Sequence, residues 1–346
     1  MNKFLNSILT ALLALAVGAA AIALMGQNPV ESYVELVKGA LVGKFNLGGT
    51  LEKFVPLLLT ALAFSVASKA SVFNVGVEGE LYLGAMAAAW VGVAFGPMPW
   101  PIHLLLCFAA AVLAGALWAL VPGYLKAYYD VNEVCVTILA NYVAIFFTSY
   151  LVNYPLSSGL GAPQTTPVPD YLLLTRIMPP SMANTGLFLS LAILVACYWV
   201  VHKSTWGYRL RAVGENRQYA EHVGINSKAV MLWAMAPAAP WGGVAGAIQV
   251  LGVFGCFVDN FSPGLAFDGM LASLIARNDI RLIPILSFFL AALKSGALGM
   301  ERFTGVPKAL VDTVIALFIL LASMEGLFKF SFKINKSGSD GSVGRG

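Results

Sequence analysis

Apolar residues are gathered into long runs, at 4–25, 54–68, 80–96, 100–122, 132–152, 186–201, 229–251, 265–276, 282–299 and 309–328. Most approach the ~20 residues that a helix needs to cross the hydrocarbon core of a bilayer. The pattern predicts an all-α membrane protein, a polytopic bundle of about ten transmembrane helices. The runs at 54 and 265 are short and flanked by Gly or Pro, which predicts broken or tilted helices buried in protein. The apolar body is expected to occupy residues 1–328, with 329–346 as a polar cytoplasmic tail rich in Lys, Gly and Ser.

Composition narrows the class. Hydrophobic residues make up 59% of the 346 and charged residues 11%, against roughly 45–50% and 25% in ordinary soluble domains. A soluble enzyme of normal build and a disordered chain are both excluded. The net charge of +4 does not imply a nucleic-acid partner, because the Lys and Arg residues sit in short loops beside apolar runs. With the amino terminus inside, fourteen of the 21 Lys and Arg fall on the inner side, six outside, and Lys294 within a span. That asymmetry and the even number of spans place both termini in the cytoplasm. Lys3 followed by the run 4–25 has the look of a signal peptide, but the run is long and more spans follow, so a retained first helix is expected.

Two connections are long. The outer one, 153–185, holds six prolines, including Pro155, Pro167 and Pro180, and should be stiff with little regular structure. The inner one, 202–228, is the most charged stretch. Within it, Asn216 is placed to cap a short helix and Gly224 to close it in a left-handed conformation, with Tyr219, Ala220 and Val223 on one face. Such a face, rimmed by Arg209, Arg211 and Glu221, can dock into a groove on a soluble partner. A solvated basic loop that only enforces topology would need the charges but neither the caps nor the face.

No Walker A sequence, HExxH or GxSxG is present, and the three histidines are far apart in sequence, so neither an enzyme nor a metal site is expected. The four cysteines lack CxxC spacing and read as small core hydrophobes. Glu78, Asp268, Lys294 and Asp312 fall at or within spans, where a lone charge costs about 2.5–3.5 kcal/mol even on the lenient insertion scale. Asp268, Lys294 and Asp312 all lie in the outer third of successive predicted spans, so they can form a charge cluster; snorkelling of Lys294 is the alternative. Phe73-Asn74-Val75-Gly76-Val77-Glu78-Gly79 and Gly264-Leu265-Ala266-Phe267-Asp268-Gly269 each precede or open an apolar run, and in this topology they enter from opposite sides. An inverted repeat would leave such an echo, with breaks near a central site; chance is the competing reading, since glycine is abundant at 34 residues.

The Phe73–Gly79 stretch, Val131-Asn132-Glu133-Val134, Gly207-Tyr208-Arg209-Leu210-Arg211-Ala212-Val213-Gly214 and Phe267-Asp268-Gly269 resemble, in order, bacterial ABC-importer permeases of the ribose and nucleoside type, the nucleoside branch most closely. The resemblance covers about residues 50–325. It implies a permease that is not itself an enzyme. The expected partners are a cytoplasmic ABC ATPase, a second identical or related permease, and an extracytoplasmic binding protein or lipoprotein. The chain would bind no cofactor or metal, ATP and Mg belonging to the ATPase. It also implies residence in the bacterial cytoplasmic membrane and residues 209–224 as the contact to the ATPase. The solute would be a nucleoside or a related ribose-containing molecule, with simple sugars and riboflavin as alternatives; an ion-coupled secondary transporter is the rival from another class. One departure is Glu80, where the family usually has Gln, which adds a second carboxylate. The solute path is expected near Asn74, Glu78 and Asp268, where Gly-rich breaks expose polar groups, with Phe73 and Phe267 able to stack on a base. Asn141 and Gln249 offer neutral hydrogen bonds either to a solute or between helices.

Overall fold

The computed structural model describes residues 15–323 apart from Pro97 and Leu160. The tail 329–346, the first part of the run at 4–25 and the end of the last run lie outside the described residues. The described chain is helical, with isolated β-bridges in place of strands. In order, the helices are α1 Leu15–Leu24, α2 Pro29–Leu41, α3 Lys44–Ser68, α4 Val77–Ala94, α5 Trp100–Tyr129, α6 Glu133–Asn153, α7 Gly186–Lys203, α8 Thr205–Glu215, α9 Arg217–His222, α10 Ser227–Gln249, α11 Leu265–Ile275, α12 Ile283–Thr304 and α13 Lys308–Ser323. A π-helical turn, Val250–Phe254, extends α10. Among the described residues, α3, α5, α6, α7, α10 with its π turn, and α12 are the six helices long and apolar enough to cross a membrane.

Three elements differ from the sequence pattern. The run at 54–68 is the later part of one continuous 25-residue helix, α3, which begins at Lys44 and passes through Pro56. Its first turns are polar and Gly-rich, which hides them from an apolar window. The helix α2 was not anticipated, because Glu31, Glu35 and Lys38 interrupt its apolar face. Finally, α8 forms a separate helix in the inner loop, started by Ser204, whose Oγ accepts from Gly207 N at 3.0 Å. Among its described residues, the loop 153–185 holds one 3-10 turn, Asp170–Leu172, and isolated β-bridges such as Ser157 with Thr165 and Arg176 with Asn184. Tyr171 in that turn meets the buried His103 of α5 at 2.9 Å.

The chain divides into two compact units, Met1–Leu41 with Leu293–Gly346, and Val42–Ala292. In the larger unit α4, α5 and α10 pack against one another. A side chain at Gly243 of α10 would run into the backbone of Ala111 in α5, and one at Gly84 of α4 would run into Gly243 itself. Backbones therefore approach through small residues, which is how helices associate where lipid supplies no hydrophobic drive. Around that contact lie Leu59, Leu81, Tyr82, Ala85, Cys107, Ile248 and Phe257, all buried. In the smaller unit Gly39 of α2 meets the backbone of Gly299 in α12, and Lys294 Nζ of α12 stands 3.9 Å from Asp312 Oδ1 of α13.

Gly243→Val should cost about 1–3 kcal/mol through overpacking and appear as a lower melting temperature and reduced monodispersity in detergent. Lys294→Met should lower assembly yield, and adding Asp312→Asn should restore part of it. A double-mutant cycle with coupling below about 0.5 kcal/mol would show that the pair contributes nothing.

Candidate functional site: two helix starts and the inner loop

The first turn of a helix leaves its N–H groups without intrahelical partners, and at α4 side chains supply them. Asn74 Oδ1 accepts from Gly76 N at 3.0 Å, and its Nδ2 donates to Glu80 Oε1 at 2.8 Å. Asn141, reaching across from α6, accepts from Gly79 N with Oδ1 and donates to Val75 O with Nδ2, both at 2.8 Å. The two amides thus bracket the turn that breaks the chain before α4. All four polar side chains here, Asn74, Glu78, Glu80 and Asn141, are no more than 2% exposed.

Glu78 points the other way, to the start of α11. Its Oε1 accepts from Ser262 Oγ at 2.9 Å and from Gly264 N at 3.2 Å, and its Oε2 accepts from Ala266 N at 2.7 Å. A carboxylate thereby meets the positive end of a helix whose preceding residue, Gly264, has φ +82°. Tyr82, one turn on from Glu78, accepts from Ser262 N at 3.2 Å and packs on Phe257 and Phe261. The two echoed segments are therefore in contact, with the acid of the first capping the helix opened by the second.

Of the residues expected to line a solute path, four are buried here and two lie in the first turn of α11. Asn74, Glu78 and Asn141 are closed to solvent and engaged within the chain, and Gln249 is buried at the junction of α10 with its π turn. Phe267 is exposed and Asp268 half-buried, in the first turn of α11. Of the anticipated charge cluster, Lys294 and Asp312 are brought together in the smaller unit, while Asp268 belongs to the larger one.

The inner loop forms the capped helix. Asn216 Oδ1 accepts from Tyr219 N at 2.9 Å, and at the far end Ile225 N donates to Ala220 O at 2.9 Å across Gly224, whose φ is +86°. A side chain at that left-handed position would strain the backbone. The expected face is split, however. Ala220 is fully buried, whereas Tyr219 and Val223 are 65% and 53% exposed, because α9 seats its smallest residue on its own chain. The arginines divide too. Arg211 donates to Val201 O at the end of α7, holding α8 in place, while Arg209 is exposed in a groove of about 600 Å³ with Trp206, Ile225 and Trp233. Glu221 accepts from the Ser227 hydroxyl and from Arg217 Nε, and both hold its carboxyl below the usual range. These contacts therefore persist at neutral pH and are lost only as pH falls through that lowered value.

One feature of α6 went unread in the sequence. Thr137, Asn141, Ala144, Thr148 and Val152 form its buried face, so the small and polar residues point inward. Tyr142, Phe146, Tyr150 and Tyr154, spaced by four, are exposed. The i, i+4 spacing of aromatics was the signal that could have found them.

Comparison with known proteins identifies the family. The family described as branched-chain amino acid transport system / permease component matches residues 46–323. The guanosine ABC transporter permease protein NupP of Bacillus subtilis is 34% identical over 98% of this chain and 100% of its own length. The glucose ABC transporter permease protein TsgB13 of Haloferax volcanii is 34% identical, covering 93% of this chain and 87% of that protein. The nucleoside ABC transporter permease protein NupB of Lactococcus lactis is 28% identical, covering 94% and 93%. An apolar helical chain whose capped inner loop and paired helix starts occur in the matched region, and which aligns with such relatives end to end, belongs to the ABC transporter permease family of the branched-chain amino acid transport system type.

Proposed function

We propose that this chain is the membrane subunit of an ATP-driven importer for nucleosides. The observation that carries the reading is the match over 98% of the chain to a guanosine permease, reinforced by a second nucleoside relative. In this reading α1, α4, α11 and α13 join the six long helices to make ten spans in the bacterial cytoplasmic membrane, with both termini inside. The starts of α4 and α11, joined through Glu78, are the central breaks of an inverted repeat.

The chain performs no covalent chemistry. Its sequence has no phosphate-binding loop of its own, so ATP and Mg bind a separate cytoplasmic ABC ATPase, and a second permease and an extracytoplasmic binding protein complete the importer. The helix α9 is the contact to the ATPase. A short helix transmits a push only when it is rigid and seated: Asn216 and Gly224 fix its ends, and buried Ala220 anchors it. Tyr219 and Val223 are left to fill a groove on the partner. Rocking of the paired permeases then opens the path alternately to either side. Lining falls to residues that remain accessible, Phe267 and Asp268 among them, while Asn74, Glu78 and Asn141 hold the helix starts that frame the path. The glucose relative, with the same identity, favours a sugar importer as the second reading.

Cells producing the complete importer should accumulate radiolabelled guanosine in an ATP-dependent manner, with glucose and riboflavin at background. Glucose accumulation without guanosine would transfer the reading to a sugar. Tyr219→Ala combined with Val223→Asp should leave membrane insertion unchanged and lower solute-stimulated ATP hydrolysis about tenfold, the effect of ~1.4 kcal/mol at a contact of this kind. A cysteine introduced as Glu221→Cys should cross-link to the ATPase. Full coupling in the double variant, with no cross-link, would reduce this loop to a topology anchor.

A further inference from the structure

The exposed stripe of α6 points to how the solute is carried. Tyr142, Phe146, Tyr150 and Tyr154 are 58%, 69%, 56% and 72% exposed. The rings fall in two pairs: Tyr142 and Phe146 are stacked, inclined by 25° with centroids 6.5 Å apart, and Tyr150 and Tyr154 are tilted by 34° at 5.2 Å. Glu133, in the first turn, is the sole charged residue of α6, so the stripe itself is uncharged.

What faces this stripe is constrained by its hydroxyls. Tyr150 and Tyr154 lie at the outer end of the helix, where tyrosines commonly sit at the membrane–water boundary. Tyr142 does not. At a rise of about 1.5 Å per residue it falls near the middle of the 21-residue span. None of the three phenol hydroxyls has a hydrogen-bond partner among the described residues, and an unsatisfied hydroxyl at that depth is disfavoured against lipid. A water-filled path satisfies it. The chemistry of the stripe then selects its occupant: flat aromatic faces at one-turn intervals, polar only at their edges, hold any planar base by stacking and distinguish little between bases. The absence of charge keeps each contact weak enough for release, which conduction through successive sites requires.

We propose that Tyr142, Phe146, Tyr150 and Tyr154 form a stacking track in the solute path, along which the nucleobase passes from ring to ring. This rests on the nucleoside reading above. The test uses the complete importer in right-side-out vesicles, with the exposed native cysteine removed as Cys135→Ser and single changes Tyr142→Cys or Ala144→Cys added. The probe is a charged, water-soluble methanethiosulfonate reagent. Tyr142→Cys should be modified about tenfold faster than Ala144→Cys, a difference of ~1.4 kcal/mol, and guanosine should slow its modification. Separately, Tyr142→Ala should reduce guanosine uptake about tenfold, whereas Tyr142→Phe, which keeps the ring, should retain most of it. Modification of Tyr142→Cys no faster than of the buried control would place the stripe against lipid and overturn the track. So would a thiol cross-link through this position between two permease chains together with no protection by guanosine, which would make it a subunit contact. Guanosine uptake by the unmodified importer with an inert cysteine at 142 would defeat the track alone. Accumulation of glucose and not guanosine would defeat the nucleoside reading first.

Discussion

The carboxylate of Glu78 seated on the start of α11 is the interaction on which the larger unit depends. It accepts from two backbone N–H groups and one hydroxyl at 2.7–3.2 Å, and it does so while almost fully buried. Gly264 N also donates to Ser262 O at 2.8 Å, but Ala266 N belongs to the first turn of a short helix that cannot satisfy it itself. Removing the acid would strand Ala266 N and the Ser262 hydroxyl, while removing the donors would strand the acid. The same mutual need recurs at α4, where Asn74 and Asn141 serve the turn before that helix. Breaks in apolar helices are tolerated here because each is answered by a polar side chain from a neighbouring element.

Given that frame, the dense packing of α4, α5 and α10 follows. Close backbone contact through Gly84 and Gly243 holds α4 against α10 and α10 against α5, while Asn141 and Glu78 tie α4 to α6 and to α11. The aromatic group of buried Tyr82 and Phe257 with half-buried Phe261 extends the contact toward the loop that precedes α11. Like α5, the helices α6 and α7 bury little of their length, in contrast to α3 and α10. The inner loop repeats the principle on a smaller scale, with α8 tied to α7 by Arg211 and α9 clamped by its two caps.

Much of this was legible in the sequence. Long apolar runs and scarce charge settle a helical membrane protein because a spanning backbone must satisfy its own hydrogen bonds, and few structures do that. The four ordered motifs marked the family, and the caps of α9 could be read because capping is local: Asn216 and Gly224 act within a few residues of themselves. Contacts between distant residues were not legible. That Glu78 faces Gly264 and Ala266, that Asn141 serves Gly79, and that Ala220 turns inward while Tyr219 turns out are all decided by packing. Polar residues in apolar runs invite a solute-binding interpretation, yet a polar side chain that caps a neighbouring helix has the same sequence signature. Only tertiary structure tells which helix start each one reaches, because the partner's orphaned N–H groups lie far along the chain and come within reach only when the bundle closes.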